Sequence, residues 1–408
     1  MRFLTLVVLA AVYGSASAHP TLDTRETSVT LPVVGKLDLS RLAGVVDADR
    51  ARAAYLKSHT WGVHRKTNKR QALSVPATNT AVDFVMPMRV GEPATEYTLL
   101  LDSGSSVTWV DGSKGYNATK TSKKTGKSVG VTYGSGSFSG SLYTDKVDFG
   151  NGLVIDAQSL GVANKTSGFD GTFDGILGVG PVELTEGAVQ GSSETIPTVL
   201  DNLFADKTIG VNALGMSFPP YGQEEAGSIT FGGADSSHYT GELNYVPVTK
   251  ADPASAYYGI DQTISYGSIS ITAGTAGIVD SGTTLVLLAT GLFEKYKAAT
   301  NATLDSKTGL LKLPKDSYAT LQPLDFNIGG KTYSLNGNAQ TFPRSLNSAL
   351  GGDNDSIYLI VGDLGMKGDG GFDFINGYAF MERFYTVFDN TNDRVGLAST
   401  KYTDAETN

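Results

Sequence analysis

The 408-residue chain contains no cysteine. Disulfides, thiolate nucleophiles, iron–sulfur clusters and cysteine-bound zinc are therefore excluded. Only four histidines are present, His19, His59, His64 and His238, and three of them fall before residue 65. A histidine metal site or a Ser-His-Asp arrangement has almost nothing to be built from. Charge is sparse at 18% of residues, with 32 Lys and Arg against 41 Asp and Glu and a net of −9. That shortage of cations argues against nucleic-acid binding, which leans on Lys and Arg. Past the first residues no apolar run approaches the roughly 18 needed to span a bilayer, so no membrane anchor is expected. What is present, 40% hydrophobic residues, suits an ordered chain. The length allows about two or three domains.

The N-terminal part differs from the rest. Arg2, the apolar stretch Phe3 to Val12 and the small residues Ala16-Ser17-Ala18 make residues 1–18 a secretory signal, so an extracellular protein is expected. Residues 19–71 form a basic segment: up to Gln71 the chain holds 11 Lys and Arg against 5 Asp and Glu, leaving 21 against 36 beyond. Leu39, Leu42, Ala43 and Val46, then Ala53, Ala54 and Leu56, have helix-like spacing. A basic, partly helical segment ahead of an acidic body fits an inhibitory prosegment, loosened when acid neutralises carboxylates. A basic targeting tail is the alternative. Lys69-Arg70 is a plausible processing point.

From Val75 onward, β-branched and aromatic runs alternate with Gly, Asn, Asp and Ser turns, as in Tyr97–Leu101, Ser128–Tyr133, Ser228–Phe231, Ile269–Thr272 and Phe384–Phe388. Helices are expected at Ile196–Phe204 and Leu292–Ala299. One pattern occurs twice. Leu99-Leu100-Leu101-Asp102-Ser103-Gly104-Ser105-Ser106 is echoed by Gly277-Ile278-Val279-Asp280-Ser281-Gly282-Thr283-Thr284. Each copy is an apolar strand that delivers an Asp into a turn lined with hydroxyls. A single Asp-Ser-Gly is an ordinary turn. Two copies about one domain length apart suggest related lobes, each presenting one carboxylate at their interface.

Two facing carboxylates cannot both ionise cheaply and share one proton. One can then take a proton from a water between them while the other protonates a carbonyl oxygen. The titration belongs to the pair, so acid and base are not assigned to single residues. Ser105 and Thr283, each three residues past its Asp, are placed to hold the outer carboxylate oxygens. Gly104 and Gly282 allow close backbone approach. The scheme needs neither cofactor nor metal.

The body from about Val75 to Lys401 resembles the pepsin-like (family A1) aspartic endopeptidases. Within them it is most similar to the cysteine-free basidiomycete polyporopepsin group. Asp102 through Trp109-Val110 resembles the first catalytic loop, and Ile278 through Thr284 the second. Val131-Thr132-Tyr133-Gly134-Ser135-Gly136-Ser137 resembles the flap that folds over bound peptide. Phe173-Asp174-Gly175-Ile176-Leu177-Gly178 is similar to the strand threaded behind the first loop. Segments 228–243 and 384–397 resemble the family's lobe crossing and its C-terminal strands. The resemblance implies a mainly β, bilobal fold with the cleft between an N-terminal lobe, 72–245, and a C-terminal lobe, 246–408. It implies a secreted zymogen that cuts internal peptide bonds at acidic pH, with Asp102 and Asp280 catalytic. The dyad is supported by Ser103, Gly104, Ser105, Ser281, Gly282 and Thr283. Tyr133 is expected to bond Trp109, and substrate to meet Tyr133, Gly134, Ser135, Trp109, Thr284 and the apolar candidates Leu100, Phe173 and Ile176. Core packing is the stronger claim on each of the last three. The implied partners are polypeptide substrates, its own prosegment and pepstatin-type inhibitors, with the chain a monomer.

Some positions depart from the family pattern. Ser135 stands where the family has Asp, which favours apolar rather than Lys side chains at P1. Ser follows both catalytic positions where Thr is common. Asn376, in the second threaded strand, needs a buried partner that the sequence does not name. Lys57 and Lys66 are the candidates for reaching the dyad. Asn117, Asn164, Asn301 and Asn354 head glycosylation acceptors. The run Gly362 to Gly371 fits a polar loop better than a calcium site. An inactive peptide-binding relative, a carboxylate-pair glycosidase and a β-rich lectin are the rival readings.

Overall fold

The structure, a computed structural model, describes residues 28–37, 39, 42–58, 82–111, 114, 116–133, 136–169 and 173–408. The signal-like segment Met1–Ala18, the Lys69-Arg70 pair, Lys66, Gly134 and Ser135 lie outside these residues. Strand predominates, in sheets of 13, 7 and 3 strands among the described residues. Helices are few: α1 (Val45–Ser58), α2 (Val199–Ala205), α3 (Thr290–Thr300) and α4 (Tyr378–Met381). The expected strands lie at Thr95–Asp102, Lys123–Thr132, Gly227–Phe231, Ile269–Val279 and Phe384–Asp389.

The repeated pattern becomes a repeated unit. In the first copy, Thr95–Asp102 runs parallel to Gly175–Gly178, with Asp102 opposite Gly178. Trp109–Asp111 returns antiparallel on the other side of that short strand. In the second copy, Ile269–Val279 runs parallel to Phe374–Asn376, and Val286–Leu288 returns antiparallel to it. Each threaded strand fixes the loop that starts at its Asp. Strand alternation sorts the first copy between two apolar clusters. Tyr97, Leu99 and Leu101 enter the main core, whereas Leu100 joins Val85, Trp109, Tyr133, Phe173 and Ile176 in a smaller one.

The 13-stranded sheet crosses the chain's halves. Near one end lie Thr240–Pro247, Arg394–Ser399, Phe384–Asp389 and Ala213–Ser217; towards the other lie Val154–Ser167, Ser137–Asp148 and Lys123–Thr132. In its middle is a strand that the sequence reading missed, Val29–Leu37. It pairs with Gly227–Phe231 on one side and Val82–Val90 on the other. The signal was an alternation, since Leu31 and Val33 are buried while Pro32 and Val34 are exposed. Among its described residues the basic segment is thus a strand followed by a helix.

Helix α1 buries Val45, Asp49, Arg52, Ala53 and Leu56 along one stripe. Leu42 and Val46 are buried as the spacing predicts, but Leu39, Ala43 and Ala54 are exposed. Two ionisable side chains occupy the centre of the buried face.

Candidate active site

Asp102 ends its strand and Asp280 directly follows its own; both are fully buried and face the same side chain. That side chain is Arg52 of α1. Its Nη2 donates to Asp102 Oδ1 at 2.5 Å and to Asp280 Oδ1 at 2.9 Å, so the two inner oxygens share one nitrogen. Its Nε donates to Asp280 Oδ2 at 2.7 Å. The contacting residue is therefore Arg52. Lys57 instead pairs with Asp369 at 2.7 Å, and Arg50 pairs with Asp363 at 3.3 Å.

Each carboxylate is held the same way by its own loop. Gly104 N donates to Asp102 Oδ1 at 3.0 Å and Ser105 Oγ to Asp102 Oδ2 at 2.5 Å. Gly282 N donates to Asp280 Oδ1 at 3.2 Å and Thr283 Oγ1 to Asp280 Oδ2 at 2.6 Å. Side chains are barred at both glycines: a Cβ at either would lie 2.7 Å from the opposite aspartate's Oδ1 and would run into Arg52. The loops also grip one another. Ser281 N donates to Ser103 Oγ at 2.8 Å, Ser103 N donates to Ser281 Oγ at 3.1 Å, and Ser281 Oγ donates to Leu101 O at 3.1 Å. The only side-chain group this crossed arrangement needs from either residue is a hydroxyl, so Ser serves where Thr would.

Burial opposes charge on Asp280 and on Arg52. For Asp280 burial alone would raise the carboxyl, but the charge and hydrogen bonds of Arg52 outweigh it and hold Asp280 below the ordinary 3.8. For Arg52 burial acts downward, and the attraction of Asp102 and Asp280 outweighs it, keeping the guanidinium charged.

Trp109 Nε1 donates to the Tyr133 hydroxyl at 3.0 Å. The rings of Phe169, Trp109 and Phe173 gather beside it, Phe169 lying 5.8 Å from Tyr133 between centroids. Leu100, Phe173 and Ile176 all belong to this buried cluster, where they serve as packing in this state. Helix α1 fills the space beneath Tyr133, with Tyr55 6.5 Å from it between ring centroids. The Tyr257 hydroxyl donates to Leu56 O at 2.8 Å. Thr284 meets α1 through its N–H, which donates to Asp49 Oδ1 at 3.1 Å.

Behind the second loop, Asn376 finds its partner in Gln262. Their amides exchange hydrogen bonds of 2.9 and 3.3 Å, and both are buried. Gln262→Leu leaves the Asn376 amide unpaired and is expected to cost about 1–3 kcal/mol in urea unfolding. The double variant with Asn376→Leu should recover much of that loss.

Twin strand-and-loop units that bring two buried aspartates together between β-rich lobes define a pepsin-like aspartic protease. The sequence agrees: the chain belongs to the eukaryotic aspartyl protease family, whose profile matches residues 83–400. It is 57% identical to polyporopepsin of Irpex lacteus over 339 residues, covering 82% of this chain and 99% of that one. It is 32% identical to cathepsin D of Clupea harengus, covering 76% and 79%. The crystal structure of the aspartic proteinase from Irpex lacteus superposes with a TM-score of 0.79 at 48% identity, covering 94% of this chain and 100% of that one. The protein is an aspartic-type endopeptidase that acts on polypeptides under acidic conditions.

Proposed function

We propose that the chain is the latent precursor of a secreted acid endopeptidase, with Asp102 and Asp280 its catalytic pair and residues 19–71 its inhibitor. The observation that carries this reading is Arg52, which bonds both carboxylates where a water and a scissile carbonyl would have to sit. With Arg52 gone, two like charges remain face to face and the pair retains one proton. Aspartic proteases are the established example of that sharing. The ionised member then takes a proton from the bridging water and the protonated member gives one to the carbonyl oxygen. Ser105, Thr283 and the N–H groups of Gly104 and Gly282 hold the carboxylates in place, which limits reorganisation during the reaction.

Tyr133 and the apolar cluster below it favour hydrophobic side chains around the scissile bond. Gly134 and Ser135 complete the flap in this reading, and Thr284 contributes to peptide binding. The division at 245/246 gives each lobe one aspartate, the shared sheet joining them. Export rests on the signal-like Met1–Ala18. Among the described residues no helix is long and apolar enough to cross a membrane. Asn117, Asn164, Asn301 and Asn354 are all exposed, as glycan acceptors must be. We expect a monomer.

Casein or haemoglobin cleavage at about pH 3 to 5 after removal of the N-terminal segment, with and without pepstatin, tests the assignment. Pepstatin-sensitive cleavage is the expected result. Its absence from the processed protein would favour the inactive peptide-binding reading.

A further inference from the structure

One turn before Arg52, α1 buries a second ionisable group that the catalytic scheme does not use. Asp49 is fully buried. Its Oδ1 accepts Thr284 N at 3.1 Å and its Oδ2 accepts Leu285 N at 2.7 Å. Consecutive N–H groups converging on one acceptor form a small nest suited to a carboxyl group. The Thr284 hydroxyl is buried there too, without a hydrogen-bond partner. Burying a carboxyl is costly unless its bonds are specific, and these bonds go to the backbone just beyond the second aspartate's loop. They therefore lock α1 in rotation and along its axis against the loop that carries Asp280.

We propose that Asp49 is a second anchor of the latent state, a positioning residue whose seat on Thr284 and Leu285 sets the register that places Arg52 between the two aspartates. The inference rests on the latent-precursor reading and deepens it: two anchors a helical turn apart hold the inhibitor, one a cation and one a carboxyl.

The anchors respond to pH in opposite senses. Burial pushes Asp49 up from 3.8 to about 7, against the pull of its two N–H bonds and of Arg52. The charged groups facing it are Arg52 from its own helix and Asp280 from the loop opposite. Its contribution to docking is complete below pH 3.8 and is lost as pH rises through about 7. Asp280, held low, contributes above 3.8 and loses its contribution as pH falls below that value. Acid therefore opens the cleft through Asp280 while Asp49 resists, and a rise towards neutral pH loosens α1 through Asp49.

Hydrogen–deuterium exchange on the full-length chain, followed across α1 and corrected for intrinsic rates, provides the test. Wild-type protection of α1 should fall nearly tenfold between about pH 5 and 6 and level off above about 7, with α3 as an unmoved reference. Asp49→Asn should lower α1 protection about ten- to a hundredfold at pH 6 and abolish the fall between about pH 5 and 6. Unchanged α3 protection and normal activity after processing would show that the variant folds. Wild-type protection and slope in that variant overturn the anchor while leaving the precursor reading intact. An α1 unprotected at pH 6 in the wild-type chain overturns both.

Discussion

Asp280→Asn, measured after processing on a fluorogenic peptide near pH 4, is expected to lower kcat/KM about a thousandfold or more. Asp102→Asn should lose a similar amount, and the double variant little more, because the two groups act as one unit. An amide keeps the shape and the bond from Thr283 Oγ1, but it neither shares a proton nor carries the charge that draws one from water. Loop structure should persist, since the crossed bonds between Ser103 and Ser281 do not involve the altered group. A processed variant retaining a tenth of wild-type kcat/KM would remove Asp280 from the chemistry.

Arg52→Gln should have the next largest effect, in the opposite direction. With the cation gone, two fully buried carboxylates stay beneath α1 without their partner, a loss of about 3–5 kcal/mol. Converted at 1.36 kcal/mol per decade, the helix leaves its seat about a hundred- to several thousandfold more often. The unprocessed variant should therefore cleave peptide at once near pH 5, where the wild-type chain is expected to show a lag. In the wild type the same release should require acid: Asp280 is held low when docked, so its stabilisation is present above 3.8 and fades as pH falls further. An equal lag in both proteins would mean that Arg52 does not hold the cleft shut.

The parts of the site legible in the sequence were those built from local chemistry. An apolar strand followed by Asp-Ser-Gly and a hydroxyl three residues later contains its own hydrogen-bonding scheme, and both copies adopt it. Cross-chain features were harder to read. The reciprocal N–H bonds of Ser103 and Ser281 join residues that adjoin only after the lobes meet, and the Gln262 partner of Asn376 sits on a different strand. Arg52 and Asp49 were passed over because charged residues on an amphipathic helix read as its wet face. Their spacing from Val45 and Leu56 on the apolar stripe was the available clue. The strand Val29–Leu37 was hidden by attention to net charge, although Leu31 and Val33 alternate with exposed neighbours.

On the latent-precursor reading, that strand would make activation more than the departure of a plug. Val29–Leu37 is zipped into the interior of a continuous sheet, bonded on both flanks, so cutting near Lys69-Arg70 and discarding it would split the sheet and bare two raw backbone edges. The matured enzyme must either retain the severed ribbon or thread its new N-terminus into the slot. If it does the latter, the excised piece cannot return by simple rebinding, and the step runs one way.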